Sequence, residues 1–168
     1  MLIDCSYFTE GPRHILNATL GSMPNPNAIE VNRAIKAYIA ELQEPFLAKM
    51  LGSTIGNKVN AYLVCMDEGD TVTNAHYDAV CSHLKEAFAD YVFFHILRDS
   101  NTHATITGLV RLKCANEYVA PIRRQVTVWN GMVERNRIFA QWCHTPENAL
   151  NGIVTSEEMT TMINTFNL

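Results

Sequence analysis

"HYDAVCSHLKEAFADYVFFHILR", residues 76–98, decides how the chain folds. Tyr77, Val80, Cys81, Leu84, Phe88, Tyr91, Val92 and His95 recur at intervals of three and four, the spacing that gathers side chains on one face of an α-helix. Around "DYVFFHIL" the pattern turns apolar on nearly every side, which marks a helix packed from several directions. The period predicts a helix over about 75–98 at the centre of the core, within an all-α fold.

Toward the N-terminus, Val31, Ala34, Ile35, Tyr38, Ile39 and Leu42 make a second helical stripe, which Asn27 is placed to cap. Pro45 lies inside that pattern. Proline removes a backbone donor and crowds the preceding turn, so a kink or a fresh helix start is expected there. Phe46, Leu47, Met50 and Leu51 carry the apolar face on to Gly52. Ser53 is placed to cap a further short helix with Ile55, Val59, Tyr62, Leu63 and Met66 turned inward. Earlier still, "FTEGPRHILNATLG" (8–21) reads as a short helix, with Pro12 suited to its first turn. "DEGDTVTN" (67–74) is a solvated connector.

Beyond the central helix the period changes. In "ATITGLVRLKC" (104–114), Ile106, Gly108, Val110, Leu112 and Cys114 alternate with Thr105, Thr107, Leu109, Arg111 and Lys113. Period two predicts an extended arm or short β element. A lone strand makes no sheet, so its partner is a short segment elsewhere in the chain or one from a neighbouring subunit. A long helix over about 120–143 follows, with Pro121 at its start and Ile122, Val126, Trp129, Val133, Phe139 and Cys143 inward. Gly131 costs that helix about 1 kcal/mol relative to alanine, which hints at close packing. Thr155 and Glu158 fit a capping box opening a short last helix to about Asn164. The expectation is a compact bundle of about five to six helices with one extended arm near 104–114. The 168 residues form one helical domain, 1–168: an N-terminal segment 1–27, a core 28–143 with the arm, and a tail 144–168.

Composition bounds the function. With 48% hydrophobic and 18% charged residues the chain reads as globular, and it holds no apolar run of membrane-spanning length. The start, "MLIDCSYFTEGPRH", lacks the basic-then-apolar order of a secretory signal. Five cysteines, widely spaced and without a CxxC pair, read as free thiols rather than a disulfide framework. A net charge of −4 argues against a general nucleic-acid binder. The charge is uneven, however: residues 98–137 carry seven basic side chains against three acids, and residues 1–97 six against eleven.

No catalytic or cofactor signature emerges. Among six histidines there is no HExxH, and His76 and His83, seven apart, lack a third ligand. His95 sits in the apolar stretch and reads as a core residue. Cys114, near Arg111 and Lys113, is the best-placed thiol, yet no nucleophile motif surrounds it. "LGSTIGNK" has two glycines and a lysine but not the order of a phosphate loop. Asp67, Glu68 and Asp70 lack the spacing of a calcium loop. Neither a metal nor another cofactor is implied, and the chain reads as a non-enzyme. What remains is the basic set Arg111, Lys113, Arg123 and Arg124, open to three readings. These are salt-dependent contact with DNA, pairing with carboxylates across a protein interface, or solvated charge on an amphipathic arm and helix.

The order of elements is itself informative. "EPFLAKMLGSTIGNKVNAYL" carries one helix through glycine into the next, and "ITGLVRL" precedes "RRQVTVWNGMVERN". Over about residues 28–143 this resembles the head–tail connector (adaptor) family encoded in the morphogenesis regions of tailed phages and of prophages of gut bacteria. The resemblance implies a mechanical role, as a homo-oligomeric ring between portal and tail proteins, around packaged DNA that it approaches without sequence preference. It implies a place in the virion or the bacterial host cytoplasm, and no membrane. Ile106, Gly108, Leu109, Val110 and Leu112 would then form an inter-subunit arm, and Arg111, Lys113, Arg123 and Arg124 would face a neighbour or the DNA channel. The alternative is a helical DNA-contacting or regulatory module using the basic region 98–137.

Overall fold

A computed structural model of the chain describes residues 1–20, 25–69, 73–99, 102–105, 108–111, 122–145, 147–148 and 152–166; for 102–105 and 108–111 it describes the backbone. The fold is helical. Four α-helices are described: α1 (Pro26–Leu51), α2 (Ser53–Asp67), α3 (Ala75–Asp99) and α4 (Ile122–Cys143). The expected five to six reduce to four because three segments stop short of α-helix. The N-terminal stretch makes only 3-10 turns at Cys5–Phe8 and Gly11–Arg13, where Gly11 takes φ 71°. The Thr155/Glu158 segment yields a single 3-10 turn, Glu157–Thr160. Pro45 starts no new helix.

The cap of α1 lies two residues before the expected one. Asn25, not Asn27, accepts the Ala28 N–H at 2.8 Å, with Pro26 in the first turn. The helix runs through Pro45 as one element. Pro45 stands on the exposed face, where the missing donor leaves the carbonyl of exposed Glu41 without its helical partner. Gly52, at φ 78° and ψ 154°, turns the chain into α2 in one residue and takes the capping position itself, without a side-chain hydrogen bond; Ser53 does not cap. Gly56 then meets α1 backbone to backbone: a Cβ there would stand 2.8 Å from the Leu47 carbonyl carbon. Those two contacts account for "LGSTIGNK". On α2 the buried residues are Gly56, Val59, Tyr62 and Leu63, whereas Met66 points outward.

α3 is the centre predicted for it. Asn74 caps it, its Oδ1 accepting from the His76 and Tyr77 N–H groups at 3.1 Å each. Val80, Cys81, Leu84 and every residue from Ala87 to Phe94 are buried. Phe46 of α1 packs on Phe88 and Tyr91 (ring centroids 5.0 and 5.3 Å), and Trp129 of α4 on Phe94 at 4.8 Å. α3 pairs most extensively with α4, and α1 with α2. The N-terminal segment belongs to the same core through Leu2, Ile3, Cys5 and Phe8. Buried Gln43 fixes it, accepting the Leu2 N–H at 2.6 Å and donating to Asn60 at 2.7 Å.

Between α3 and α4 the chain folds back on itself. Thr102–Thr105 (β1) and Gly108–Arg111 (β2) pair antiparallel, with Thr102 opposite Arg111 and Thr105 opposite Gly108.

Candidate subunit-interface site

The residues singled out in the sequence divide into three groups. Gly108, Leu109, Val110 and Arg111 lie on β2, opposite Thr105, Ala104, His103 and Thr102. Ile106, Leu112, Lys113 and Cys114 fall outside the described residues. Arg123 and Arg124 open α4 next to each other, and both are exposed, but their roles differ. The Arg124 guanidinium donates to the Pro12 carbonyl at 2.8 Å and lies 4.9 Å from the Phe93 ring centroid, a cation–π geometry. It holds the N-terminal segment against α3 and α4. Among the described residues Arg123 forms no such bridge; its backbone carbonyl accepts from Thr127 at 2.9 Å.

Other arginines of the basic region are likewise used within the chain. Buried Asp90 lies between two guanidiniums, accepting from Arg13 Nε at 2.6 Å and from Arg135 at 2.8 Å. Arg13 also donates to the Glu86 carboxylate at 2.7 Å. A buried carboxylate is retained only where charge and hydrogen bonds offset its lost hydration. Arg98 pairs with Asp99 at 3.1 Å, and Arg137 donates to the Thr160 carbonyl at 2.9 and 3.1 Å. Of the basic side chains of 98–137, Arg135 thus meets an acid from outside the stretch, Asp90, and Arg124 and Arg137 donate to carbonyls from outside it.

Sequence reading missed this network, although it left a signal: Asp90 is a lone carboxylate inside "FADYVFFH", where an unpaired charge would be too costly to bury. Of the inner face of α4 it found Trp129, Val133, Phe139 and Cys143 and missed Gln125, Met132 and Asn136. Ile122 and Val126, expected inward, are half-buried. The three-four period was intact, but two of its positions carry amides.

Those amides serve the tail. Asn136, fully buried, donates to the Met159 carbonyl at 2.8 Å, while its Oδ1 has no partner among the described residues. Asn130 grips Ile163 twice, donating to its carbonyl at 3.0 Å and accepting its N–H at 2.9 Å. Trp129 Nε1 donates to the Thr161 carbonyl at 3.0 Å. At the other end, Thr155 donates to the Met50 carbonyl at 3.0 Å, the Ser156 N–H to the Lys49 carbonyl at 2.7 Å, and Glu158 pairs with Lys49 at 2.8 Å. The two residues expected to cap their own helix instead close the end of α1.

Titratable groups in the core are tuned by burial. Burial pushes the Cys81 and Cys143 thiols up to about 11, so neither is a thiolate at neutral pH. Burial, helped by the Arg98 charge, pushes His95 down to about 4, as the neutral ring packed on Tyr91 and Phe94 requires. Among the described residues no group of three or more His, Cys, Asp or Glu side chains could hold a metal ion. No described helix is long and apolar enough to cross a membrane. No family model matches the chain, and neither a curated protein nor a solved structure matches it significantly.

Proposed function

We propose that the chain is a structural subunit of head–tail connector (adaptor) type, which assembles with its own copies into a ring between portal and tail proteins of a phage or prophage particle. Its role in this reading is mechanical rather than enzymatic. The observation that supports it is the β1–β2 ladder set between α3 and α4, the two helices that pack most extensively. A two-stranded ladder has a backbone edge on each outer side, and such edges join neighbours by strand addition. Exposed Arg123 at the start of α4 and exposed Glu41 and Glu44 on α1 add opposite charges on separate helices, which suits a head-to-tail contact that closes into a ring.

The test is deletion of residues 104–113. The shortened chain is expected to keep the helical content of the bundle and to lose assembly, read by light scattering, alone or with portal and tail proteins. A chain that unfolds outright makes the arm part of the core and overturns its role here. An intact chain that stays monomeric at high concentration and never joins particle components overturns the ring. Duplex DNA binding with a steep salt slope, abolished by Arg123→Ala with Arg124→Ala, would transfer the function to the DNA-contacting alternative.

A further inference from the structure

α1 carries its surface charge in blocks. Arg33 and Lys36 stand three residues apart, Glu41 and Glu44 likewise, and Ala37 and Ala40 lie between the two pairs. All six are exposed, on the side of the helix away from buried Ile35, Ile39 and Phe46. Residues three apart on a helix are neighbours, so each pair sets like charges side by side, an arrangement that weakens a helix. A face that only meets water more often intersperses the signs at three and four residues, where they attract. Among the described residues none of the four charges, nor Glu30 beside Arg33, forms an ion pair. Arg13, Lys49, Arg98, Arg135 and Arg137, by contrast, each meet a carboxylate of the chain.

The blocks are related by symmetry. Positions 33, 36 and 37 mirror 44, 41 and 40 about the point between Tyr38 and Ile39, with the sign of the charge reversed. A contact between two copies about a two-fold axis requires a patch of this kind, complementary to itself. When two α1 helices meet antiparallel around that point, Arg33 of one copy comes level with Glu44 of the other, Lys36 with Glu41 and Ala37 with Ala40. Each pairing occurs twice. The steps 33, 37, 40 and 44 are those of a coiled-coil seam, and alanine at its centre lets the helix axes approach to about 8 Å. Parallel helices would set base on base and acid on acid.

We propose that this face of α1 is an interface for a second copy of the chain, the two α1 helices packing antiparallel with Arg33 of each on Glu44 of the other. The contact closes on two copies. It takes up the Glu41 and Glu44 carboxylates that the head-to-tail contact would offer to Arg123, so the pair is a form of the chain outside the ring and does not rest on that reading. Exposed ion pairs are individually weak, so the pair forms at high concentration and low salt.

The test is a charge swap in the full chain, read by sedimentation equilibrium at low salt and up to millimolar concentration. The parent chain should pair, and should part as salt is raised. Arg33→Glu alone opposes acid to acid at both ends of the contact, and Glu44→Arg alone opposes base to base. Each should weaken pairing at least about tenfold. Both side chains are exposed, so the helical circular dichroism should stay unchanged. Mixing the two variants should restore association, since both end contacts then join opposite charges. The chain carrying both substitutions should pair with itself as the parent does. A parent that stays monomeric, a single variant that pairs as strongly as the parent, or a mixture without restored association overturns the proposal. Failure of the swap leaves the ring reading standing, because Arg33 has no part in the head-to-tail contact. Loss of the ring leaves the pair standing, because two copies suffice for it.

Discussion

Gly131 and Arg135, one turn apart on α4, act together. Arg135 donates to the Gly131 carbonyl at 3.0 Å, and a Cβ on Gly131 would lie 3.3 Å from that same guanidinium nitrogen. The glycine makes room for the arginine to reach Asp90. Gly131→Ala should therefore fail to gain the stability of about 1 kcal/mol that alanine normally confers on a helix interior. With Arg135→Ala already in place, the same substitution should gain it. Urea denaturation of the four chains measures the difference, and equal effects in both backgrounds would refute the coupling.

Asp90 should be the most sensitive charged position. Asp90→Ala leaves Arg13 and Arg135 without their shared carboxylate and should cost about 3–5 kcal/mol. The two adjacent arginines of α4 should separate sharply. Arg124→Ala loses the Pro12 and Phe93 contacts and should cost about 1–2 kcal/mol. Arg123→Ala should stay within about 0.5 kcal/mol. An equal cost at 123 and 124 would show that the Pro12 bridge contributes nothing.

Acid should weaken the fold through His95. Its folded value of about 4 lies below the ordinary 6.5, so the unfolded chain binds the proton more readily. The resulting stability is complete above pH 6.5 and is lost as pH falls toward 4. The loss should amount to no more than about 3 kcal/mol, at roughly 1.4 kcal/mol per pKa unit. His95→Phe should flatten that part of the stability–pH curve. A slope unchanged by the substitution would assign it to other groups.

Alkylation should sort the thiols. At pH 8, Cys81 and Cys143 should resist iodoacetamide in the folded chain, being buried with values near 11, and should react on unfolding. Half-buried Cys65 should react ahead of both. Early modification of Cys81 would mean that α3 opens locally.

Gly56→Ala should be costly without touching any charge. The added methyl meets the α1 backbone, which cannot rotate away, so a loss of about 1–3 kcal/mol is expected. A thermal midpoint equal to that of the parent chain would mean that α2 can slide along α1.

The elements legible in the sequence were those whose buried positions are apolar. The run Val80, Cys81, Leu84, Phe88, Tyr91 declares α3 to within a residue of its observed span. α4 was placed as well, over about 120–143 against Ile122–Cys143, but its buried face also takes in Gln125 and Asn136, which hydrophobicity alone cannot see. Local signals that had two uses were read for the wrong one. Thr155 and Glu158 have the spacing of a capping box, but Met50 and Lys49 compete for them from 105 and 109 residues away. The basic patch was legible as composition. Its partition into Arg124, committed to Pro12, and Arg123, left outward, depends on contacts across more than a hundred residues.

Those separations also set an order of events. α1 and α2 meet across a single residue and can form early, since little chain entropy is lost in closing so short a loop. The contacts of Thr155 and Ser156 with the end of α1 join positions more than a hundred residues apart, so they form only after the helices have assembled. Hydrogen exchange should find the Ser156 amide opening well before those of α3, at a free energy far below that of global unfolding. The segment from Thr155 onward is the last part of the molecule to arrive and the first to let go.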